Sequence, residues 1–311
     1  MIEVHGLCKV YGQKTAVKNL RLRVEKGDVF GFLGPNGAGK STTIRMLTTI
    51  IRPTSGTALI NGFDILRQPV DVRRQIAVIP QVSTLGVHLD VYQNILIYLL
   101  FRGHGYREAR KRTDTAIERF GLQAVAHLRP HQLSVGFRRR VQVARALVSG
   151  ARVLFLDEPS VGLDPMIRQE TWNSITEARN MGVTIFLTTQ VMEEAEALCN
   201  RVGLLFNGEL VIDSPLNKLK ARLGITRIEM SVAGLSAQAM EALLRKWRDD
   251  HLIVEGVQNL PRVTVLVRGD RAPLPEFIQS TLSWGGRLTR VDVRPPSLED
   301  IYLHVVKGGK A

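Results

Sequence analysis

Short apolar segments of strand length, separated by turn residues, mark the first part of the chain. Residues 1–10 and 20–24 alternate apolar and polar positions, which predicts two strands that each bury one face. Residues 29–33 form a continuous apolar run, which predicts a fully buried strand. A glycine-rich loop follows, and then a helical stretch from Ser41 to about Ile50. The order strand, glycine-rich loop and helix predicts an α/β unit in this part of the chain.

Later segments extend the same architecture. Two more apolar runs, residues 153–156 and 183–187, have the length and composition of buried parallel strands. Asn-Gly pairs at positions 61–62 and 207–208 predict hairpins, because a type I′ turn requires two residues that accept positive φ. We therefore expect a parallel sheet with added antiparallel strands.

The segment that begins at Asp90 is predicted to be helical. Gln93 follows three residues later and completes a capping-box pattern. The longest clean apolar run, residues 95–101, lies in this segment, whereas a membrane-spanning helix needs about 20 such residues. We therefore expect a helix packed against a core and no segment that crosses a bilayer, and the N-terminus lacks the pattern of a secretory signal.

The pattern changes after Pro215, which we take as a domain boundary between residues 1–215 and 216–311. The order βαββαβ with one more helix predicts a small ferredoxin-like α+β domain. The predicted elements are a strand at 227–232, a helix at 236–250, strands at 252–257 and 262–268, a helix at 275–284, a strand at 288–293 and a helix from 297.

Composition and charge narrow the class of protein. The 311 residues carry a formal net charge of +13 and a sequence pI near 10.2, which first suggests a nucleic-acid or membrane-surface partner. The excess is largest in residues 102–145, where 11 Lys and Arg stand against three Asp and Glu; we predict a basic face there, suited to anionic lipid headgroups. The hydrophobic content of 44% excludes a disordered chain, and two cysteines exclude a disulfide scaffold.

The glycine-rich loop carries the first candidate chemistry. Residues 34–41 read Gly-Pro-Asn-Gly-Ala-Gly-Lys-Ser, which fits the Walker A pattern, and they lie between the predicted buried strand and helix. Glycines let backbone N–H groups surround phosphates, and the helix adds the positive end of its dipole. Lys40 is expected to reach the β- and γ-phosphates, and Ser41 is expected to ligate Mg²⁺.

A second candidate, at residues 153–158, fits a Walker B strand that ends in two carboxylates. Asp157 is expected to hold Mg²⁺, directly or through water, at the end of the buried strand. Glu158 is then placed to orient or deprotonate the attacking water. The alternative interpretation is an acidic helix cap or turn; Pro159 argues against a continuing strand and favours a turn, which does not exclude catalysis.

Together these residues resemble the ATP-binding cassette (ABC) ATPases over about residues 2–215. Three further motifs and an aromatic residue have counterparts in that family and occur in the expected order. They are Leu133–Phe137 at the signature, Ser160–Asp164 at the D-loop, Gln81 at the Q-loop and Tyr11 where the family stacks an aromatic on adenine.

The resemblance implies a P-loop nucleotide-binding fold with a RecA-like core, an antiparallel β-subdomain and a helical subdomain at about residues 88–147. It implies that ATP and Mg²⁺ bind between two copies, with Walker A of one copy facing the signature of the other. The catalytic residues would be Glu158, Gln190 and Gln81, and the metal ligands Ser41, Gln81 and Asp157. The nucleotide-binding residues would be Tyr11, Gly34, Asn36, Gly37, Gly39, Lys40, Ser41, Thr42, Ser134, Gly136 and Asp164.

Two features resemble the daunorubicin-resistance subgroup of ABC ATPases, which energise export of drugs and other amphipathic compounds, and its nodulation-factor relatives. One is the basic stretch at 138–140, and the other is the C-terminal domain with its terminal motif at 296–304. The resemblance implies an ATP-hydrolysing homodimer on the cytoplasmic face of a membrane, bound to a separate permease. No nucleic acid is expected as a partner.

Two positions depart from the wider family. Val135 replaces the first signature glycine, and its β-branched side chain resists positive φ, so packing against nucleotide is expected to loosen. Gln190 stands where most members carry a histidine, and its amide donates a hydrogen bond but carries no charge. We expect modest but persistent hydrolysis. The alternatives are an ABC ATPase that acts on nucleic acid or at the ribosome, favoured by the charge, and an uptake system.

Overall fold

The computed structural model describes residues 1–222, 225–250, 252–253, 255–268 and 273–302. The chain divides into two compact units, Met1–Pro215 and Leu216–Ala311. Positions 303 and 304 of the terminal motif and position 254 of a predicted strand lie outside the described residues.

Ten strands and seven helices make up the described first unit, with two short 3₁₀ segments between the fourth and fifth helices. The strands are β1 (Ile2–Tyr11), β2 (Lys14–Val24), β3 (Val29–Leu33), β4 (Ser55–Ile60), β5 (Phe63–Asp64), β6 (Ile76–Ile79), β7 (Val153–Asp157), β8 (Thr184–Thr189), β9 (Arg201–Phe206) and β10 (Glu209–Pro215). The helices are α1 (Lys40–Leu47), α2 (Pro69–Gln75), α3 (Val91–Phe101), α4 (Tyr106–Arg119), α5 (Val135–Val148), α6 (Pro165–Asn180) and α7 (Met192–Leu198).

Two sheets organise this unit. One is antiparallel, in the order β2-β1-β4-β5, and the other has six strands in the order β10-β9-β3-β8-β7-β6. In the larger sheet β3, β6, β7, β8 and β9 pair in parallel, and every residue of β3 is buried. The aromatic side chains on these strands pack together, with ring centroids 5.3 Å apart for Phe30 and Phe186 and 5.6 Å for Phe155 and Phe186. The predicted α/β class is confirmed.

The parallel strands place the candidate chemistry at one edge. The carboxyl ends of neighbouring parallel strands meet at the same edge of a sheet, and ligands of open α/β sheets bind there. β8 lies between β3 and β7, so the loop after β3, the carboxylates after β7 and Gln190 after β8 share that edge. The topology therefore gathers motifs that are far apart in sequence.

Local signals set the ends of the helices. The Asp90 carboxylate accepts a hydrogen bond from the Gln93 N–H at 2.7 Å, and the Gln93 side chain accepts one from the Asp90 N–H, so the predicted capping box is present. The hairpin at Asn61 also forms, with positive φ there and at Gly62. α1 ends at Leu47, three residues earlier than expected, and Thr49 has a φ of 61°.

The second unit contains α8 (Leu216–Arg222), β11 (Ile225–Ala233), α9 (Ala237–Asp249), β12 (Glu255–Asn259), β13 (Arg262–Arg268), α10 (Leu274–Ser283) and β14 (Arg287–Arg294). Its antiparallel sheet has the order β12-β13-β11-β14, which is the ferredoxin-like arrangement predicted from the element order. Trp247 of α9 and Phe277 of α10 are fully buried, with ring centroids 4.5 Å apart. β12 begins at Glu255, three residues later than predicted.

The basic segment is not a continuous surface. Arg139 is 6% exposed and Arg145 is 8% exposed. Arg102 also turns inward, and its guanidinium donates to the carbonyl oxygens of residues 73, 74 and 76. The prediction of a basic face is therefore wrong for these arginines, whose guanidinium groups donate to oxygen atoms of other segments of the chain. Within the described residues, no helix combines the length and apolar character needed to span a membrane.

Candidate functional site

The loop between β3 and α1 has a backbone that only glycine accepts easily. Gly37 and Gly39 have φ values of 79° and 112°, and Gly39 immediately precedes α1. A Cβ added to Gly39 would lie 2.4 Å from the Ala16 carbonyl oxygen, and one added to Gly34 would lie 2.4 Å from the Leu205 carbonyl oxygen. The loop therefore packs directly against neighbouring backbone, and Gly34 and Gly39 are needed because a side chain at either position would collide with it.

Lys40 is held under this loop. Its side chain is only 4% exposed, and its Nζ donates to the carbonyl oxygens of Gly34 at 2.8 Å and Pro35 at 3.1 Å. Nζ also lies 3.3 Å from Oε1 of Glu158. A buried ammonium whose contacts are backbone carbonyls and one carboxylate can exchange them for phosphate oxygens.

Asp157, the last residue of β7, receives two hydroxyl groups on one carboxylate oxygen. Its Oδ1 accepts from Thr188 Oγ1 at 2.6 Å and from Ser41 Oγ at 3.2 Å. These are oxygen donors of the kind that Mg²⁺ prefers, and Mg²⁺ commonly uses one or two carboxylates together with substrate phosphates. Within the described residues, no group of three His, Cys, Asp or Glu side chains could hold a metal alone. The residues thus fit a magnesium ion that nucleotide helps to bind.

Glu158 follows directly and has a backbone conformation that is rare for its residue type. Its φ is 49°, and its N–H donates to the Thr188 carbonyl at 3.0 Å. Strained residues of this kind cluster at functional sites, where surrounding contacts enforce them. The turn before Pro159 therefore aims the carboxylate back at Lys40, with its side chain 12% exposed.

An aromatic ring, that of Tyr11, lines the mouth of the pocket above the loop. Tyr11 is 47% exposed, and Lys9 Nζ lies 5.2 Å from its ring centroid. A half-exposed ring at the mouth of a polar pocket can stack on a nucleotide base. The pocket is lined by Tyr11, Lys14, Ala16, Asn36, Gly37, Gly39, Lys40, Ser41, Thr42 and Glu158.

Gln81 and Gln190 lie apart from the Ser41–Asp157 contact. Gln81 is exposed and lines a second pocket, which also includes Glu158 and Arg139. Gln190 follows β8 and is half-buried. The structure thus joins Lys40, Ser41, Asp157 and Glu158 directly, but not Gln81.

The signature segment begins α5. Ser134 is its N-cap, and its hydroxyl accepts from the Phe137 N–H at 3.2 Å. Val135 occupies the first helical position and has no positive φ, so the expected conflict with its β-branched side chain does not arise. A Cβ on buried Gly136 would lie 2.6 Å from Oε2 of Glu170, so the end of the Glu170 side chain must move if a larger residue stands here.

Asp164 has the same capping role one helix later. Its Oδ1 accepts from the N–H groups of Met166 at 3.1 Å and Ile167 at 3.0 Å, which fixes the start of α6. The geometry therefore explains Asp164 as the N-cap of α6.

Sequence reasoning missed one residue of the site. Thr188 bonds the Asp157 carboxylate and also accepts from the Glu158 N–H at 3.2 Å through Oγ1. The signal was present, since Thr188 directly follows the apolar run 183–187 in a buried strand, where an inward hydroxyl needs a partner.

Comparisons with known proteins decide the family. Residues 17–161 match the profile described as ABC transporter. The chain is 35% identical to the daunorubicin resistance ATP-binding protein DrrA3 of Streptomyces coeruleorubidus, over 98% of this chain and 95% of that protein. It is 38% identical to the daunorubicin/doxorubicin resistance ATP-binding protein DrrA of Streptomyces peucetius, over 78% and 74%. The chain belongs to the ABC transporter family.

A solved structure supports the cassette fold of this ABC ATPase. The dimeric, post-hydrolysis ATP-binding cassette MJ0796 with bound ADP and Pi is similar with a TM-score of 0.62 and 26% identity, over 70% of this chain and 99% of that one. The predicted cassette fold and ATP-hydrolysing activity are confirmed: this chain is an ABC ATPase that binds and hydrolyses ATP.

Proposed function

We propose that this ABC ATPase energises the export of a drug-like or amphipathic compound through a separate membrane permease. The observation that carries the proposal is the extent of the similarity. The relative from Streptomyces coeruleorubidus, named for daunorubicin resistance, matches 98% of the chain. The similarity thus includes the second unit, whereas the family profile covers only residues 17–161. ABC cassettes with other functions share the core of the first unit. Similarity that also covers the second unit therefore favours an exporter over those other functions.

Within each copy, Lys40 binds the β- and γ-phosphates while Ser41 and Asp157 hold Mg²⁺. The contacts that support this assignment are the 3.2 Å bond between Ser41 and Asp157 and the nearly complete burial of Lys40. Mg²⁺, when bound, neutralises the charge that develops on the phosphates. Thr188 fixes the carboxylate that meets the ion.

Glu158 orients and deprotonates the attacking water. Its contact with Lys40 at 3.3 Å places it beside the group that binds phosphate, and its strained turn limits where the carboxylate can move. Gln190 donates its amide to the γ-phosphate, and Gln81 would be a further ligand of the ion. A neutral amide in place of a histidine gives slower turnover.

Two copies form the complete site. The exposed N-terminus of α5, with Ser134 and the Gly136 N–H, faces the nucleotide of the partner copy, where a helix dipole favours negative charge. The dimer sits at the cytoplasmic face of the membrane because it works on a permease. No part of this assignment requires nucleic acid.

The test begins with affinity purification of the full chain from detergent-solubilised membranes, followed by identification of the integral membrane protein that elutes with it. The pair is then placed in lipid vesicles, and ATP-dependent movement of daunorubicin is measured. Glu158→Gln is the matched control, because it removes hydrolysis while leaving Lys40 free for ATP.

ATP-dependent transport that stops in the E158Q vesicles is the expected result. E158Q should also form ATP-dependent dimers in light scattering. An eluate without a membrane protein, together with ATPase activity that DNA or RNA stimulates in a strongly salt-dependent way, would support the nucleic-acid alternative instead.

A further inference from the structure

A buried arginine lies beside the proposed catalytic carboxylate. Arg139, on α5, is 6% exposed and lines the pocket shared by Gln81 and Glu158. Its Nη1 donates to the Pro80 carbonyl at 2.9 Å, while Nε and Nη2 have no protein partner among the described residues. Burial lowers the pKa of Arg139 to about 10, so the guanidinium remains charged at neutral pH.

A buried carboxylate supplies the opposite charge. Glu194, on α7, is fully buried, and its Oε1 accepts from Trp172 Nε1 at 3.2 Å. Burial raises the pKa of Glu194; hydrogen bonds from Ser160, Thr189 and Trp172 oppose that rise, and the charge of Arg139 adds a smaller opposing effect. The charges of Glu194 and Asp157 likewise favour the protonated form of Arg139.

The position of Arg139 matters more than its charge alone. Its helix begins at the signature, and its hydrogen bond holds the carbonyl one residue before Gln81. Glu194 lies four residues after Gln190. Arg139 thus joins the signature helix to the segment before Gln81 by a hydrogen bond, and the charge of Glu194 favours its protonated form.

We propose that Arg139 is a positioning residue that couples the segment before Gln81 to the signature helix. When α5 moves as the copies close on ATP, the Pro80 carbonyl moves with it, so Gln81 reaches its working position as the signature does. The guanidinium suits this role because its fork donates in several directions at once, whereas a lysine is a point charge and a glutamine has no charge. The inference rests on the proposed dimer mechanism.

The first experiment compares ATP affinity, kcat and thermal unfolding for the full chain and for Arg139→Lys, Arg139→Gln, Glu194→Gln and the double variant R139Q/E194Q. Arg138→Gln is the matched control, since Arg138 is the neighbouring arginine on α5 and donates to the Pro130 carbonyl rather than to the segment before Gln81. R139Q should lower kcat about tenfold with less than a threefold change in ATP affinity, because it displaces groups that act after binding. R139K should fall between R139Q and the wild type, and R138Q should be unchanged.

The double variant separates positioning from structural support. Removing both buried charges should restore the unfolding temperature, since neither charge is then left unpaired, but kcat should stay low because the coupling is lost. Recovery of kcat together with stability, or wild-type kcat in R139Q, would overturn the proposal.

A second experiment does not depend on hydrolysis. A spin label at Ser83→Cys, in a chain with Cys8→Ser, reports the mobility of the segment after Gln81. ATP with Mg²⁺ should immobilise the label in the wild-type background and in R138Q, but not in R139Q. Equal immobilisation in R139Q contradicts the coupling. If transport fails in vesicles yet the label responds as expected, the export proposal fails and the coupling stands.

Discussion

The nucleotide pocket and the signature segment differ in how far a single chain completes them. In the pocket, Lys40 is 4% exposed and meets Glu158, and Ser41 meets Asp157. At the signature, Ser134 is exposed and Val135 is 42% exposed, and their only described polar contacts serve the start of α5. The side chains of the proposed phosphate site already contact one another within one chain, whereas the signature presents an exposed helix N-terminus whose proposed anion comes from the partner copy. Substitutions in the two regions should therefore fail in different ways.

The largest effect is expected in the pocket. Lys40→Met keeps the aliphatic stem but removes the ammonium, so ATP affinity of the isolated chain should fall at least about 100-fold, since each charge-assisted bond contributes about 1.5–3 kcal/mol. Titration calorimetry measures the affinity, and Lys26→Met, at an exposed position, is the control. Near-normal ATP binding in K40M with an intact unfolding transition would show that Lys40 does not hold phosphate.

A substitution at the signature should spare binding but not turnover. Val135→Asp places a carboxylate at the first helical position, where the helix dipole tolerates it, yet it repels the partner's γ-phosphate. Hydrolysis should fall about 100-fold, the size of effect seen when one transition-state donor is lost, with ATP affinity of the isolated chain unchanged. Val135→Gly, which restores the family residue, should hydrolyse at least as fast as the wild type. Equal rates of hydrolysis for V135D and V135G would contradict the arrangement in which the signature of one copy faces the nucleotide of the other.

Mixing the two defective chains tests the same comparison directly. A dimer of K40M with V135D contains one site built from the intact pocket of V135D and the intact signature of K40M. Mixing equal amounts should raise hydrolysis above that of either variant alone, towards a fraction of the wild-type rate set by the share of mixed dimers. No gain on mixing, with dimers present in light scattering, means that each chain hydrolyses ATP without its partner.

A smaller effect is expected at the residue that sequence reasoning missed. Thr188→Val keeps the shape of a β-branched side chain in β8 but removes the hydroxyl that donates to Asp157. One neutral-to-charged hydrogen bond corresponds to about tenfold in rate, so kcat should fall by about that amount at saturating Mg²⁺. The apparent Mg²⁺ requirement should rise, which a titration of activity against Mg²⁺ measures. A lower kcat with an unchanged Mg²⁺ requirement would assign Thr188 to the Glu158 turn alone.

The sequence predicted what depends on local pattern and missed what depends on tertiary contact. Walker A, the capping box at Asp90 and the hairpin at Asn61 follow from neighbouring residues, and the structure contains all three elements. The burial of Arg139 could not be predicted, because its partners at Pro80 and Glu194 come from distant segments. A run of arginines therefore indicated a basic surface where the fold places some of them inside.

The smallest change in stability is expected at Gly136. Two explanations for a glycine at this position, packing within the chain and the approach of the partner's nucleotide, predict different rates of hydrolysis for its variants. Gly136→Ala should gain up to about 1 kcal/mol of helix propensity, but its Cβ would meet Glu170 Oε2 at 2.6 Å, so the net stability should change little. In Glu170→Ala the obstacle is absent, and G136A should then stabilise the chain, which chemical denaturation measures. If packing against Glu170 is the sole reason for a glycine at position 136, the double variant G136A/E170A should hydrolyse ATP at the wild-type rate. A double variant that folds stably but hydrolyses ATP slowly would show that Gly136 is needed where the partner's nucleotide approaches. The residues of the signature segment would then be determined by contacts with the partner copy as much as by contacts within their own chain.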